Sequence, residues 1–286
     1  MRTTRYSSYA LSTLFILFLA TLCLKSQAGE REIIHPLCFE PFANLEAGSQ
    51  SSGKKTIDLN DCMNKYLSYP FKQPTPWQAV FEKNDQPEYN SETGLPTYSS
   101  YTLIGQMENQ QVLMSYSVSY GGSGTFSHAF LVEGISLQKQ VPNNTTLTQT
   151  LLVEGGDRCF GSIEHLSIIS PQKFEIRRKV TPSALVGYGM KADYAQRMTK
   201  GLPDCALCCI GSLVEQVDMK GNRELVNVIL LPRELRETAT KQERCLNRLT
   251  KADIHTDIFT KEDFVTLQQN YIKECPDYDT PSLKGL

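Results

Sequence analysis

The chain has 286 residues, of which 40% are hydrophobic and 21% charged, with a formal charge of −2. The length does not force two domains, because all-β units reach this size. The slight excess of acid argues against a nucleic-acid partner, which needs clustered Lys and Arg to neutralise phosphates.

The first segment reads as an export signal. Arg2 and Arg5 form a short positive region, residues 11–24 (LSTLFILFLATLCL) carry no charge, and Ser26-Gln27-Ala28 places small residues where a signal peptidase cleaves. The expected mature start is Gly29, with residues 1–28 removed. Spanning a bilayer takes about 20 apolar residues, and Lys25 stops this run short of that. An uncleaved anchor and lipidation at Cys23 are the alternatives; Leu22 stands where a lipoprotein signal needs a small residue. No later stretch is apolar for long enough to span, so no stable membrane insertion is expected after cleavage. Cleavage removes Arg2, Arg5 and Lys25 and no acid, leaving 26 basic residues against 31 acidic.

Eight cysteines then remain: Cys38, Cys62, Cys159, Cys205, Cys208, Cys209, Cys245 and Cys275. An even count in an exported chain reads as four disulfides. Locality pairs Cys38 with Cys62 and Cys245 with Cys275, and leaves Cys159 to reach the 205–209 cluster with the partner there left open.

Residues 29–97 read as an irregular and helical lead-in, of which 29–56, rich in Gly, Ser and Lys toward its end, reads as a flexible entry with little packing. Leu59, Cys62, Met63 and Tyr66 have helical spacing, giving a short helix that ends before Pro70. Five prolines between 70 and 98 predict an irregular crossing, with Trp77 plugging the edge of the core. From Tyr98 to residue 232 the period becomes two. Strands are expected around Tyr101 and Leu103, then from Val112 to Tyr120 after a Glu108-Asn109 turn. Phe126 to Val132 follows the glycine-rich turn at 121–124. Further strands run over 146–154, 162–170, 174–180, 212–218 and 223–231, with a turn at Gly221. Short connections imply antiparallel pairing. Residues 233–250 and 260–275 read as two helices stapled by Cys245 and Cys275. The second opens on a capping-box-like Thr260 and Asp263 and carries Phe264, Leu267, Gln268 and Tyr271 on one face. The fold expected is mainly β (α+β): an antiparallel sheet or sandwich of about seven strands, with a short N-terminal helix and a C-terminal helical hairpin over 233–286.

No constellation specifies a reaction, and no cofactor or metal is expected. Asp204-Cys205-Ala206-Leu207-Cys208-Cys209 contains the Cys-x-x-Cys spacing of thiol exchange. It lacks the strand-to-helix context that stabilises a thiolate, and a structural knot is the favoured reading. Zinc would require Cys159, Cys205, Cys208 and Cys209 to escape oxidation. His35, His128, His165 and His255 show no metal-binding spacing; His128 and His165 sit within strand patterns. Ser123 among glycines, near His128, lies between two strands and so reads as a turn, not a nucleophile elbow. Glu133, Glu154, Asp157 and Glu164 are candidates for a carboxylate pair whose separation the sequence does not give. Gly155-Gly156-Asp157-Arg158-Cys159 reads as a pinned turn, with Asp157, Arg158, His128 and His165 as possible ligand-facing residues. Arg177-Arg178-Lys179 reads as the solvated end of a strand. Asn143 and Asn144 head Asn-x-Thr triplets, relevant to a eukaryotic secretory route.

Leu152-Val153-Glu154-Gly155-Gly156-Asp157-Arg158-Cys159-Phe160-Gly161, then Val180-Thr181-Pro182-Ser183-Ala184-Leu185, then Cys205-Ala206-Leu207-Cys208-Cys209, together resemble a series in uncharacterised secreted proteins of Gram-negative bacteria. The resemblance covers residues 150–231. Those proteins more often carry Asn and Gly where Phe160 and Ser162 stand here. It implies a periplasmic location and a β core, and transfers no catalytic residue.

The functional expectation is a periplasmic, secreted or cell-envelope protein that binds a protein or polymer partner without catalysis. Tyr98, Tyr101, Tyr116 and Tyr120 are its candidate contact surface, unless they straddle the core edge. The alternatives are an exported hydrolase with dispersed acid and base residues, tested at Glu154 and His128, and a thiol–disulfide exchange protein using Cys205 and Cys208.

Overall fold

Apolar residues at period two need two faces to bury against, and the chain supplies them with two antiparallel sheets. The computed structural model describes residues 33–43, 54–82, 96–137, 141–142, 145–232, 239–250 and 257–275. The export signal, Cys23, the Asn-x-Thr triplets and His255 lie outside the described residues. A 3-10 turn at Pro36–Phe39 leads into α1 (Glu40–Ala43), β1 (Lys55–Asp58), α2 (Leu59–Lys65), β2 (Lys72–Thr75) and β3 (Gln78–Glu82). The strands β4 (Tyr98–Gln106), β5 (Val112–Ser119) and β6 (Phe126–Glu133) follow. A short ribbon of β7 (Ile135–Ser136) and β8 (Val141–Pro142) then precedes β9 (Thr146–Asp157). The second half runs β10 (Ile163–Ser170), β11 (Lys173–Val180), α3 (Pro182–Gly187), α4 (Ala192–Met198), β12 (Gly211–Asp218) and β13 (Arg223–Leu230). It ends with α5 (Lys241–Thr250), β14 (Asp257–Thr260) and α6 (Lys261–Glu274).

The seven-stranded sheet has the order β1-β9-β6-β5-β4-β3-β2, the five-stranded sheet β10-β11-β12-β13-β14. The mainly β, α+β class expected from the pattern is the class observed. Leu113, Ala129, Leu131 and Val153 of the large sheet meet Leu166, Phe174, Ile176 and Val217 of the small one in a shared core. On the opposite face of the large sheet, Tyr116 stands opposite Tyr101 and His128, and Met114 opposite Phe130. The N-terminal turn and α1 cover that face, Phe39 packing 4.9 Å from Tyr101 and Phe42 5.9 Å from Phe130 between ring centres.

The small sheet uses one face twice. Register with β11 puts Leu213, Glu215 and Val217 on the same side as Phe174 and Ile176. Val217 belongs to the core shared with the large sheet, whereas Leu213, with Leu225, Val228 and Leu230, packs under α3, α5 and α6 against Leu185, Leu246, Phe264, Leu267 and Tyr271. All of this belongs to one compact unit, Ile34–Leu286.

Local chemistry explains the element ends. Thr260 and Asp263 form the expected capping box, each satisfying a free amide of the other's segment. Gln268 is half-buried beside Leu267, and its amide nitrogen donates to the carbonyls of Val186 and Tyr188 at 2.8 and 2.9 Å. Asp58 caps α2 through the Asp61 amide. The β12–β13 turn closes on the Asp218 carboxylate, which accepts from the amides of Lys220 and Asn222, with Gly221 at φ 86°.

Several expectations need correction. The entry expected to pack little instead buries Leu37, Cys38, Phe39 and Phe42 against the large sheet. The proline-rich stretch after Pro70 contains the β2–β3 hairpin; β2 is exposed throughout and is the sheet edge, where Pro74 costs no ladder bond. Trp77 sits in the hairpin turn, 39% exposed, and plugs no core. The tyrosines follow the alternative of straddling the core edge: Tyr101 and Tyr116 are buried, Tyr98 is half-buried, and Tyr120, 46% exposed, has its hydroxyl held by Glu40 at 3.0 Å. The helices α3 and α4 and the edge strand β14 were not foreseen, and the helix expected from 233 is described only as α5.

Candidate functional site

One cross-linked surface feature is built from three segments: the loop 120–125 between β5 and β6, the turn 157–162 between β9 and β10, and residues 203–210 before β12. The turn is steep because glycine allows it. A Cβ on Gly156 would overlap the Phe160 carbonyl, and one on Gly155 would overlap the Ser127 carbonyl. Gly161 and Arg158 take left-handed backbone angles, φ 86° and 47°. The Gly156 amide donates to the Gly161 carbonyl at 3.0 Å, and Ser127 Oγ accepts from the Ile163 amide at 2.6 Å.

Asp157 and Arg158 then clasp the neighbouring loop. The Asp157 carboxylate accepts from the Thr125 amide at 3.0 Å, and the Arg158 guanidinium donates to the Ser123 carbonyl. The two side chains also pair with each other, Nε to Oδ1, at 3.7 Å. Their charges are therefore spent on holding loop 120–125, and Ser123 serves that loop through its backbone.

Sulfur fixes the third segment. Cys159 bonds to Cys209 and Cys205 to Cys208, while Cys38–Cys62 and Cys245–Cys275 are the two local pairs. The Cys159 amide donates to the Ala206 carbonyl at 3.3 Å, Thr181 Oγ1 to Asp204 at 2.7 Å, and the Ile210 amide to the Val180 carbonyl at 2.9 Å. In the chain-entropy picture the Cys159–Cys209 link, spanning 50 positions, contributes about 4 kcal/mol, and Cys205–Cys208, spanning 3, less than about 2. All four thiols that zinc would need are in these bonds, so the zinc alternative has no ligands here. Among the described residues no group of three or more His, Cys, Asp or Glu is placed to hold a metal.

On this braced backbone stand large apolar side chains in water. Phe160 is 47% exposed, Leu207 73%, and Phe126, which pairs with Asp157 across β6 and β9, 45%. Single exposed apolar side chains are common on protein surfaces, and Leu67 and Ile258 are 82% and 67% exposed elsewhere; what sets Phe160 and Leu207 apart is the covalently braced backbone that carries them.

The four possible ligand-facing residues do not converge. Asp157 and Arg158 belong to the clasp. His128 faces the N-terminal layer, 8% exposed, its ring stacked 6.1 Å from Phe130 and opposite Glu154 in register. Its Nδ1 has no hydrogen-bond partner among the described residues, and burial lowers its pKa to about 4. His165 is exposed on the outer face of the small sheet, paired with Arg177. The carboxylates also disperse: Glu133 accepts from Gln111 at 2.9 Å, and Glu164 accepts from Ser212 at 2.5 Å with Lys179 at 3.8 Å.

Two polar sites escaped the sequence reading. His35 is buried and neutral: with Nε2 as donor to the Tyr69 carbonyl at 2.8 Å, Nδ1 accepts from the Leu37 amide at 3.2 Å. Burial pulls its pKa down to about 4 against the raising effect of the Tyr69 bond. Glu215, 1% exposed, lies where the two cores of the small sheet meet. It binds the Arg178 guanidinium at 2.6 Å and accepts from the Tyr188 hydroxyl at 2.8 Å. Burial first, and Glu215 second, push the Tyr188 pKa up to about 12. Arg178 is thus not part of a solvated cluster. A charged residue between Leu213 and Val217 at inward spacing was the signal available for Glu215; nothing in the local sequence of His35 marked it.

Compared with known proteins, the chain matches no family model, no curated protein and no solved structure.

Proposed function

We propose that the protein is an exported, non-catalytic binding protein of the periplasm or cell envelope, engaging a protein or polymer partner through the knob made by residues 157–161 and 205–209. The observation that carries this reading is the pairing of exposure with rigidity. Phe160 and Leu207 project from segments held by two disulfides and the Asp157–Arg158 clasp. A contact surface ordered in advance loses little conformational freedom on binding, and aromatic anchors on such surfaces tend to dominate affinity. Four disulfides fit an oxidising compartment, and no described helix is long and apolar enough to cross a membrane. The export signal read over residues 1–28 and the resemblance to secreted Gram-negative proteins support the periplasmic assignment.

The test compares wild type with Phe160→Ser/Leu207→Ser as immobilised baits in envelope extracts and on isolated peptidoglycan. Neither side chain belongs to the buried core, Phe160 being 47% and Leu207 73% exposed, so the variant should stay folded with a melting temperature within a few degrees of wild type and lose the ligand that wild type retains. Retention of the same proteins or polymer by both baits would refute the knob as the binding surface.

A further inference from the structure

The four disulfides differ in how far they are shielded. Cys38, Cys159 and Cys275, one member of each of three bridges, are 0%, 3% and 7% exposed. The fourth bridge has no buried member: Cys205 is exposed and Cys208 half-buried. It also closes the shortest loop, 3 positions against 24, 30 and 50 for the others, so opening it frees the least chain. Both flanks stay tied when it opens. Asp204 is held by Thr181, Ala206 accepts from the Cys159 amide, and Cys209 remains bonded to Cys159.

We propose that Cys205–Cys208 is a thiol–disulfide exchange site that accepts electrons from a protein dithiol while the other three bridges hold the fold. The incoming thiolate attacks the exposed Cys205 sulfur, forming a mixed disulfide and releasing Cys208 as a thiolate that takes up a proton. The donor's second thiol then attacks its own sulfur in that mixed disulfide and displaces the Cys205 thiolate. Two electrons and two protons pass to Cys205 and Cys208, and the donor dithiol becomes a disulfide. Leu207, 73% exposed inside the closed loop, offers the donor an apolar contact beside the sulfur under attack. The inference concerns access to sulfur and does not rest on Phe160 or on the knob binding a partner.

The experiment treats the native protein with graded dithiothreitol, and separately with a reduced Cys-x-x-Cys oxidoreductase, quenches with an alkylating reagent and maps the modified peptides. Two labels should appear at Cys205 and Cys208 at least about tenfold faster than at any other pair, with the circular dichroism spectrum unchanged. An oxidoreductase whose second cysteine is replaced by Ser should be trapped as an adduct on Cys205. Earlier labelling of another pair, simultaneous labelling of all eight cysteines, or an adduct on a different sulfur would overturn the proposal. Cys205→Ser/Cys208→Ser should fold and lose the fast labelling; failure of that variant to fold would make the bond part of the scaffold and overturn the proposal as well. Loss of ligand by the Phe160→Ser/Leu207→Ser bait leaves the order of labelling under dithiothreitol untouched, so the two readings fail separately.

Discussion

Acid should weaken this protein well above the pH at which its carboxylates titrate. His35 and His128 are both buried and have their pKa lowered by burial from 6.5 to about 4. Above pH 6.5 both are neutral in the folded and the unfolded chain and cost nothing. Between pH 6.5 and 4 the unfolded histidines bind protons that the folded ones do not, so acid favours the unfolded state. Linkage then sets the loss at about 1.4 kcal/mol per pH unit for each histidine, or about 3 kcal/mol each over the whole interval. Against a total of about 5–15 kcal/mol, two such groups decide whether the fold survives at pH 4. Urea denaturation at half-unit steps from pH 7.5 to 4.5 measures it. His128→Phe is the informative variant, because Nδ1 has no hydrogen-bond partner among the described residues and Phe130 already stacks on the ring. It should roughly halve the acid slope while leaving stability at pH 7.5 within about 1 kcal/mol. A flat profile between pH 7.5 and 5, or an unchanged slope in the variant, would refute the account of neutral histidines held in apolar layers.

Gly156→Ala should lower the melting temperature and cost at least about 2 kcal/mol, since a methyl group there meets the Phe160 carbonyl; an unchanged thermal transition would show that the turn can relax. Glu215→Leu should cost about 3 kcal/mol in denaturant, because it strands Arg178 and the Tyr188 hydroxyl. Pairing it with Arg178→Met should recover part of that loss, and equal stability of the single and double variants would contradict this. Asp157→Ala should accelerate hydrogen exchange at the Thr125 amide and cost about 1–2 kcal/mol, read by mass spectrometry and by melting.

Hairpins, caps and the sulfur pairings Cys38–Cys62 and Cys245–Cys275 were legible because each is a local matter. Period two from Tyr98 onward, the turn at Gly221 and the box at Thr260 and Asp263 each depend on a few neighbouring residues. The β2–β3 hairpin was not legible, because proline argues against a central strand and only the sheet order reveals that β2 is an edge. Arg178 and Glu215 lie 37 positions apart and meet through the β11–β12 pairing and the placement of α3. The spacing pointed to the glycine turn and the Cys cluster as features, yet not to the exposure of Phe160 and Leu207. That depends on which cysteine Cys159 reaches, and sequence distance does not select among three candidates.

The double use of the small sheet's inner face bears on how the chain is made. During synthesis β12 and β13 emerge before α5 and α6, so Leu213, Leu225 and Val228 wait without their cover until the last helices arrive. The C-terminal pair therefore acts as the closing piece of the whole body, and Cys245–Cys275 is the last of the four links whose two sulfurs become available. A ribosome stalled before residue 239 would leave a sticky half-built sheet, a substrate for chaperones and proteases rather than a shortened but working molecule.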